Sequence, residues 1–161
     1  MAGHVTGLEL HEACTLGDYD ALEEYMKSGK YENYINMKDP EWQNRTPIHW
    51  ACSKGYVDCL RLLLEHGAKP NARMSMGWTP AHCAAETGKL HVLRALHNAG
   101  AAIYRKDKYG DTPKNVAQMY GHTECVKYLE SIENERKSRS EEPDSEDDTD
   151  EDTDDETHGN T

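Results

Sequence analysis

The chain has no long hydrophobic run. No window approaches the roughly 20 apolar residues that a membrane-spanning helix needs. Residues 1–5 also lack the basic segment and apolar stretch of a secretory signal peptide. Hydrophobic residues make up only 36% of the 161 residues and charged residues 30%, so a thin, elongated architecture is favoured over one deep core. We therefore expect a soluble intracellular protein, cytoplasmic or nuclear, with no membrane contact.

Cysteine is too sparse for a disulfide framework. The 5 cysteines are odd in number and lie within a helical pattern, which indicates reduced thiols in the cytosol or nucleus. The closest approaches to a metal site are His49 with Cys52 and His82 beside Cys83. Neither supplies four ligands at zinc-finger spacing, so no metal is expected.

Catalytic motifs are missing as well. The glycines are isolated instead of clustered into a phosphate-binding loop, and neither a Gly-x-Ser-x-Gly elbow nor a His-Glu-x-x-His pair occurs. Paired carboxylates fall mostly in the C-terminal tail, where nothing holds them in a fixed geometry. The sequence therefore predicts a protein that is not an enzyme and uses no cofactor.

Positive charge is absent from residues 141–156, which hold 12 acidic residues and no Lys or Arg. The net charge of −12 thus belongs to this tail, because the rest of the chain has 18 acidic and 18 basic residues. From Ser138 onward there are no aromatic or large aliphatic residues, so we expect disorder. Nucleic acid is not an expected partner, since the tail repels phosphate and the body has no net positive charge.

A short motif recurs along the chain. Thr46-Pro47-Ile48-His49 returns as Thr79-Pro80-Ala81-His82 and, altered, as Thr112-Pro113-Lys114-Asn115, at steps of 33 residues. Thr is a favoured helix N-cap and Pro suits the next position. Each Thr-Pro pair is therefore predicted to begin a helix, and the fixed period indicates a repeat architecture.

A degenerate first copy precedes these three. Leu8-Glu9-Leu10-His11 occupies the motif position, 38 residues before the second copy. The five additional residues fall within residues 30–44, which are rich in Tyr, Asn, Asp and Pro and are predicted to form a lengthened loop.

Each copy is predicted to contain two helices. In the second copy these are Pro47 to Ser53 and Val57 to Glu65, and apolar residues recur along the latter at helical spacing. One such pair cannot cover its own apolar stripe, so neighbouring pairs must stack. We predict an all-α solenoid of four stacked helix pairs with loop or hairpin connections.

The residues from Asn44 to Ala68 and from Gly77 to Ala101 resemble ankyrin repeats, through Thr-Pro-x-His, the helix-ending glycines and Leu62-Leu63-Leu64-Glu65-His66-Gly67-Ala68. The chain is most similar to small ankyrin repeat domain-containing proteins. The resemblance gives these boundaries: flexible residues 1–7, a repeat domain at 8–132 (repeats at about 8–38, 41–73, 74–106 and 107–132), and a helix extension with the acidic tail at 133–161. It also implies that His49 and His82 are structural, bonded to the motif Thr and nearby backbone.

In proteins of this family, partners contact the loop tips and the exposed side of the first helices. The resemblance places that concave surface on residues rich in Trp, Tyr, Met and Arg, types enriched at interfaces. The matching positions are Trp42, Gln43, Arg45, Ser53, Lys54, Arg73, Ser75, Met76, Trp78, Glu86, Thr87, Lys106, Lys108, Tyr109, Asp111, Met119 and Tyr120. The alternative is that Trp42 and Trp78 merely cover loop backbone and the basic residues form a solvated face.

The predicted function is a monomeric scaffold or adaptor that binds an unidentified protein. The alternative is a regulator that blocks a specific enzyme, such as a protein kinase. For the tail three hypotheses stay open: a solubilising extension, an intramolecular contact with the repeat face, or binding of a basic protein such as a histone. Ser138, Ser145, Thr149 and Thr153 each have an acidic residue three positions later, which resembles sites of an acidophilic kinase such as casein kinase 2.

Overall fold

The computed structural model describes residues 6–139, which form eight α-helices in four consecutive pairs. This confirms the predicted helical solenoid. Short 3-10 turns lie at Glu32–Tyr34, Pro40–Trp42 and Ser75–Gly77, the first two within the predicted long loop. The helices are α1 (Glu9–Leu16), α2 (Tyr19–Ser28), α3 (Pro47–Lys54), α4 (Val57–Glu65), α5 (Pro80–Glu86), α6 (Leu90–Asn98), α7 (Pro113–Met119) and α8 (Thr123–Arg139).

The helices form two layers. The first helices of the pairs, α1, α3, α5 and α7, pack side by side and are called the inner helices. The second helices, α2, α4, α6 and α8, pack in the same order and are called the outer helices. Leu60 and Leu63 of α4 and Leu93 and Leu96 of α6 are fully buried between the layers. None of the helices in residues 6–139 is long and apolar enough to cross a membrane.

The Thr-Pro motif begins the inner helices as predicted. The Thr79 hydroxyl accepts a hydrogen bond from the His82 amide at 3.4 Å, and His82 Nδ1 accepts from the Thr79 amide at 3.1 Å. In the last copy, Asn115 replaces the histidine, and its Oδ1 accepts from the Thr112 amide at 2.9 Å. Both ends of this capping box satisfy backbone donors that a helix N-terminus leaves free.

The motif histidines connect neighbouring repeats. Nε2 of His49 lies 3.0 Å from the Trp78 carbonyl, and Nε2 of His82 lies 2.8 Å from the Asp111 carbonyl. Because Nδ1 accepts from the motif Thr, Nε2 carries the proton and donates to these carbonyls. Burial lowers the pKa of His49 to about 3 and that of His82 to about 4. The structural role implied by the resemblance therefore matches these contacts.

At the ends of two inner helices, a glycine leaves space for a side chain of the next repeat. A Cβ on Gly17 would lie 2.7 Å from the Tyr56 ring, and one on Gly88 would lie 2.6 Å from Nδ1 of His122. Both glycines also have a positive φ, 72° and 71°. Only glycine meets both demands without strain.

The last outer helix is the longest. It runs to Arg139, and its Ile132 is buried. Glu133 pairs with Lys114 of α7 at 3.1 Å, while the Arg136 guanidinium lies 3.5 Å from the centre of the Tyr104 ring. These contacts hold the C-terminal half of α8 against α7 and against the segment that follows α6.

The predictions for the ends of the chain fall largely outside the described residues. Those for the acidic tail, including Ser145, Thr149 and Thr153, concern positions beyond 139, and most of the N-terminal segment precedes residue 6. Ser138 lies in the last turn of α8, where it is exposed and its hydroxyl donates to the Glu135 carbonyl at 3.3 Å.

Candidate binding face

Three loops of similar build precede α3, α5 and α7, and we call them the fingers: residues 39–45, 74–78 and 107–111. In each finger the first amide donates to the carbonyl of the last residue, over distances of 3.0, 2.9 and 2.8 Å. Gln43 and Met76 occupy the tips with φ of 62° and 67°, a region that non-glycine residues seldom adopt. The narrow hairpin explains this conformation, because the chain must reverse within a few residues.

Adjacent fingers are joined through their backbones. The Ser75 amide donates to the Gln43 carbonyl at 2.9 Å, and the Lys108 amide donates to the Met76 carbonyl at 2.9 Å. The finger tips therefore stand at fixed positions relative to one another.

The two predicted arginines help to hold the fingers in place. Arg73 Nη1 donates to the carbonyls of Gly77 at 2.5 Å and Lys106 at 3.1 Å. The Arg45 guanidinium stacks on Trp50 at 4.7 Å from the ring centre, and its Nη2 donates to Gln43 at 3.3 Å. Both side chains are half-buried.

Trp78 is also part of the finger scaffold. Its indole nitrogen donates to Asp107 at 3.0 Å, and its ring stacks on the His82 imidazole with centroids 5.6 Å apart. The side chain is half-buried. Among the tryptophans predicted to contact a partner, Trp42 is therefore far more accessible.

Several predicted residues form an exposed apolar set. Trp42 is 58% exposed, Met76 47% and Tyr109 71%, all on fingers. Met119 and Tyr120, at the end of α7, are 63% and 55% exposed. By the repeat spacing, Tyr120 corresponds to Lys54 and to Leu16, at the ends of α3 and α1. We use the term inner face for the surface formed by the finger tips and the exposed sides of the inner helices.

The first two repeats enclose a groove of about 500 Å³ on this face. Its apolar walls come from α1, α3 and the first finger, and Trp42 and Trp50 meet edge to face with centroids 5.7 Å apart. Leu8 and Leu16 of the α1 segment are 40% and 64% exposed. The lining residues are Leu8, His11, Glu12, Thr15, Leu16, Asp39, Trp42, Trp50 and Lys54.

Most of this groove was not predicted from the sequence. Of its lining, only Trp42 and Lys54 were predicted, while Leu8, Leu16 and Trp50 were not. A signal was present for Trp50, because the equivalent positions in the next copies hold the smaller Cys83 and Val116, both fully buried. A tryptophan side chain is too large for the space that Cys83 and Val116 occupy, so Trp50 lies toward the inner face.

His11 forms the floor of the groove and shows how the first copy differs. Its Nε2 donates to the carbonyls of Met37 at 2.9 Å and Arg45 at 3.2 Å. Leu8 has no hydroxyl, and its amide donates to Thr6 at 3.2 Å. Nδ1 of His11 is therefore buried without a hydrogen-bond partner, unlike the same atom of His49.

The remaining predicted residues lie around the same face in different roles. Gln43, Lys54, Lys106 and Lys108 are exposed, whereas Ser53, Ser75, Glu86, Thr87 and Asp111 are half-buried. The Thr87 hydroxyl donates to the Ser53 carbonyl at 2.8 Å, which ties α5 to α3. The exposed cations of the predicted set are thus lysines, and the arginines stabilise the loops.

The cysteines are not placed for nucleophilic chemistry. All five cysteines are free and buried, and burial raises the pKa of the Cys59 thiol to about 11 and that of Cys83 to about 12. Thiols of this kind are poor nucleophiles. Within residues 6–139, no group of three or more His, Cys, Asp or Glu side chains is placed to hold a metal ion.

Comparison with known proteins supports the repeat architecture. A family model described as ankyrin repeats (3 copies) matches residues 10–107 and 70–141. Human ankyrin repeat domain-containing protein 7 is 39% identical over 61 residues, which cover 38% of this chain and 22% of that protein. Human DNA-binding protein RFXANK is 34% identical over 64 residues, 40% of this chain and 23% of that protein.

A third relative is the human ankyrin repeat and SOCS box protein 3, 34% identical over 65 residues, 40% of this chain and 12% of that protein. The matched region thus spans less than a quarter of each of these three relatives. The family model covers most of the chain, and its two matches together extend over the four helix pairs of the structure. The chain belongs to the ankyrin repeat family.

Proposed function

We propose that this chain is a non-catalytic interaction module that binds a partner protein through its inner face. Ankyrin repeats in general mediate contacts between proteins, so the family supports the class of function. The identity of the surface rests on the side chains of this chain.

One observation carries the proposal: the exposed large apolar side chains gather on the inner face. Of the nine such residues in the described part of the chain, only Tyr19 and Tyr56 belong to the starts of outer helices. Trp, Tyr and Met are enriched at interface centres, and a clustered apolar surface is typical of an interaction site. The other seven are Leu8, Leu16, Trp42, Met76, Tyr109, Met119 and Tyr120.

Affinity capture from cell extract tests the proposal. The full chain is compared with a Trp42→Ala/Tyr109→Ala variant, in which two exposed residues of different fingers are truncated. Trp78 is avoided because its hydrogen bond to Asp107 ties it to the scaffold. We expect specific partners to be lost from the double variant while its thermal unfolding stays unchanged.

A Tyr19→Ala variant serves as the matched control. Tyr19 is 37% exposed but lies on the outer helix α2. Retention of all partners by the double variant, or their equal loss from the control, would overturn the proposal.

A further inference from the structure

The groove between the first two repeats has the shape and chemistry to accept one kind of partner segment. This inference rests on the proposed function, since it concerns a part of the same inner face. The long side of the groove is the exposed edge of α1, from Leu8 to Leu16. Eight residues of helix correspond to two turns and about 12 Å.

The groove has few free backbone groups to offer. Beyond the first turn, the amides of α1 are bonded within the helix, beginning with the Glu12 amide, which donates to the Leu8 carbonyl at 3.0 Å. In the first finger the Asp39 amide donates to the Arg45 carbonyl at 3.0 Å, and the Trp42 amide donates to the Asp39 carbonyl at 3.0 Å. An extended segment would bury its own amides and carbonyls there without partners, which is costly. A helix satisfies its backbone internally and avoids this cost.

The side chains of α1 specify the pattern that such a helix needs. Leu8, Glu12 and Leu16 recur every four residues on the groove side, so an acidic residue stands between two apolar ones. Glu12 is exposed, and within residues 6–139 no cation pairs with it. Trp42 and Trp50 complete the apolar wall.

We infer that the groove is a docking site for an amphipathic helix of a partner protein, with apolar residues two turns apart and a lysine or arginine between them. The apolar residues contact the leucines and tryptophans of the groove, as in other helix-in-groove complexes. The basic residue lies opposite Glu12. Lys54, exposed at the opposite wall, favours an acidic residue on the helix flank.

A phage-displayed library of random 16-residue peptides tests this inference on the full chain. We expect the enriched peptides to be helical by circular dichroism and to carry an apolar–basic–apolar pattern at i, i+4 and i+8. Leu16→Glu should weaken their binding about tenfold or more, because it places a charge in an apolar contact. Tyr19→Glu is the matched control, since Tyr19 is an exposed large side chain outside the inner face, on α2, and it should leave binding unchanged.

A charge exchange tests the register. Glu12→Lys should weaken an enriched peptide about two- to fivefold, as expected for an exposed ion pair. A peptide with glutamate in place of its basic residue should regain that loss on the Glu12→Lys chain.

The outcomes separate the two proposals. Enriched peptides that are extended, or that depend on Met119 or Tyr109 instead of Leu16, overturn the inference and leave the proposed function standing. If no peptide is enriched, or if binding survives Leu16→Glu and Glu12→Lys, the inference fails, while the capture experiment with Trp42→Ala/Tyr109→Ala decides the proposed function independently.

Discussion

At the residue scale, the buried histidines of the motif depend on staying neutral. Nδ1 of His82 accepts hydrogen bonds from Thr79, and Nε2 donates to the Asp111 carbonyl. A second proton would have to enter at Nδ1, where the Thr79 donors already point. Burial lowers the pKa of His82 from 6.5 to about 4, so the unfolded chain binds protons more readily than the folded one.

This difference predicts acid destabilisation. Above pH 6.5 both states hold neutral histidine and stability does not change on this account. As the pH falls from 6.5 toward 4, only the unfolded state takes up protons, so the free energy of unfolding decreases. At pH 5 the loss should be about 2 kcal/mol for each such histidine, measured by urea unfolding at pH 7.5 and 5.

A His82→Asn variant checks the assignment. Asn115 already forms the same cap in the last repeat, so Asn should keep the helix start but lose the bond to Asp111. We expect lower stability at pH 7.5, by about 1 kcal/mol or more, and a shallower loss on acidification. Gln118→Asn, at an exposed and non-titrating position of α7, should keep the full pH dependence; equal slopes for all three proteins would contradict the prediction.

At the element scale, the outer helices contribute large leucines to the buried core. Leu63 of α4 and Leu93 of α6 are both fully buried. Replacing either with alanine should lower the free energy of unfolding by about 2 to 5 kcal/mol, measured by urea unfolding. Leu16→Ala, at a position 64% exposed, should cost less than about 0.5 kcal/mol. Unchanged stability of both buried variants would contradict the stacked architecture.

The fingers are short loops, and side-chain hydrogen bonds help to fix their positions. Arg73 joins the second finger, at the Gly77 carbonyl, to Lys106, the residue before the third finger. Arg73→Ala should cost about 1.5 to 3 kcal/mol, the usual range for hydrogen bonds to a charged group. The comparison is Arg61→Ala, on an exposed position of α4; equal melting temperatures for the two variants would refute a bridging role for Arg73.

The sequence predicted the helix boundaries better than the residues that form the inner face. Helix bounds followed from Thr-Pro and Gly at regular steps, because capping is a local property. The roles of Arg73 and Trp78 depend on Lys106 and Asp107, 33 and 29 residues away. The resemblance therefore placed both residues in a binding set without showing that they support loops. Leu8 and Leu16 were missed because the predicted contact positions lie only in the three later copies, although the first copy had been recognised.

At the scale of the whole molecule, each repeat contacts mainly its neighbours. Stability of such an array is close to a sum over repeats and their interfaces. We therefore expect amide exchange to be slowest in α3 to α6, which have neighbours on both sides, and faster in α1 and α2. Leu93→Ala should lower protection in α6 and in adjoining α4 before it affects α1, as hydrogen exchange followed by mass spectrometry would show. Uniform protection across the helices would indicate a single cooperative unit.

The buried thiols give this array a set of internal reporters. Cys14 lies in α1, Cys52 and Cys59 in the second pair, Cys83 in α5 and Cys125 in α8, so every helix pair contains at least one. A thiol reagent can modify each cysteine only while its own repeat is open. The labelling rates of the unaltered chain, resolved by peptide mapping, should therefore give the opening free energy of each repeat without any introduced probe.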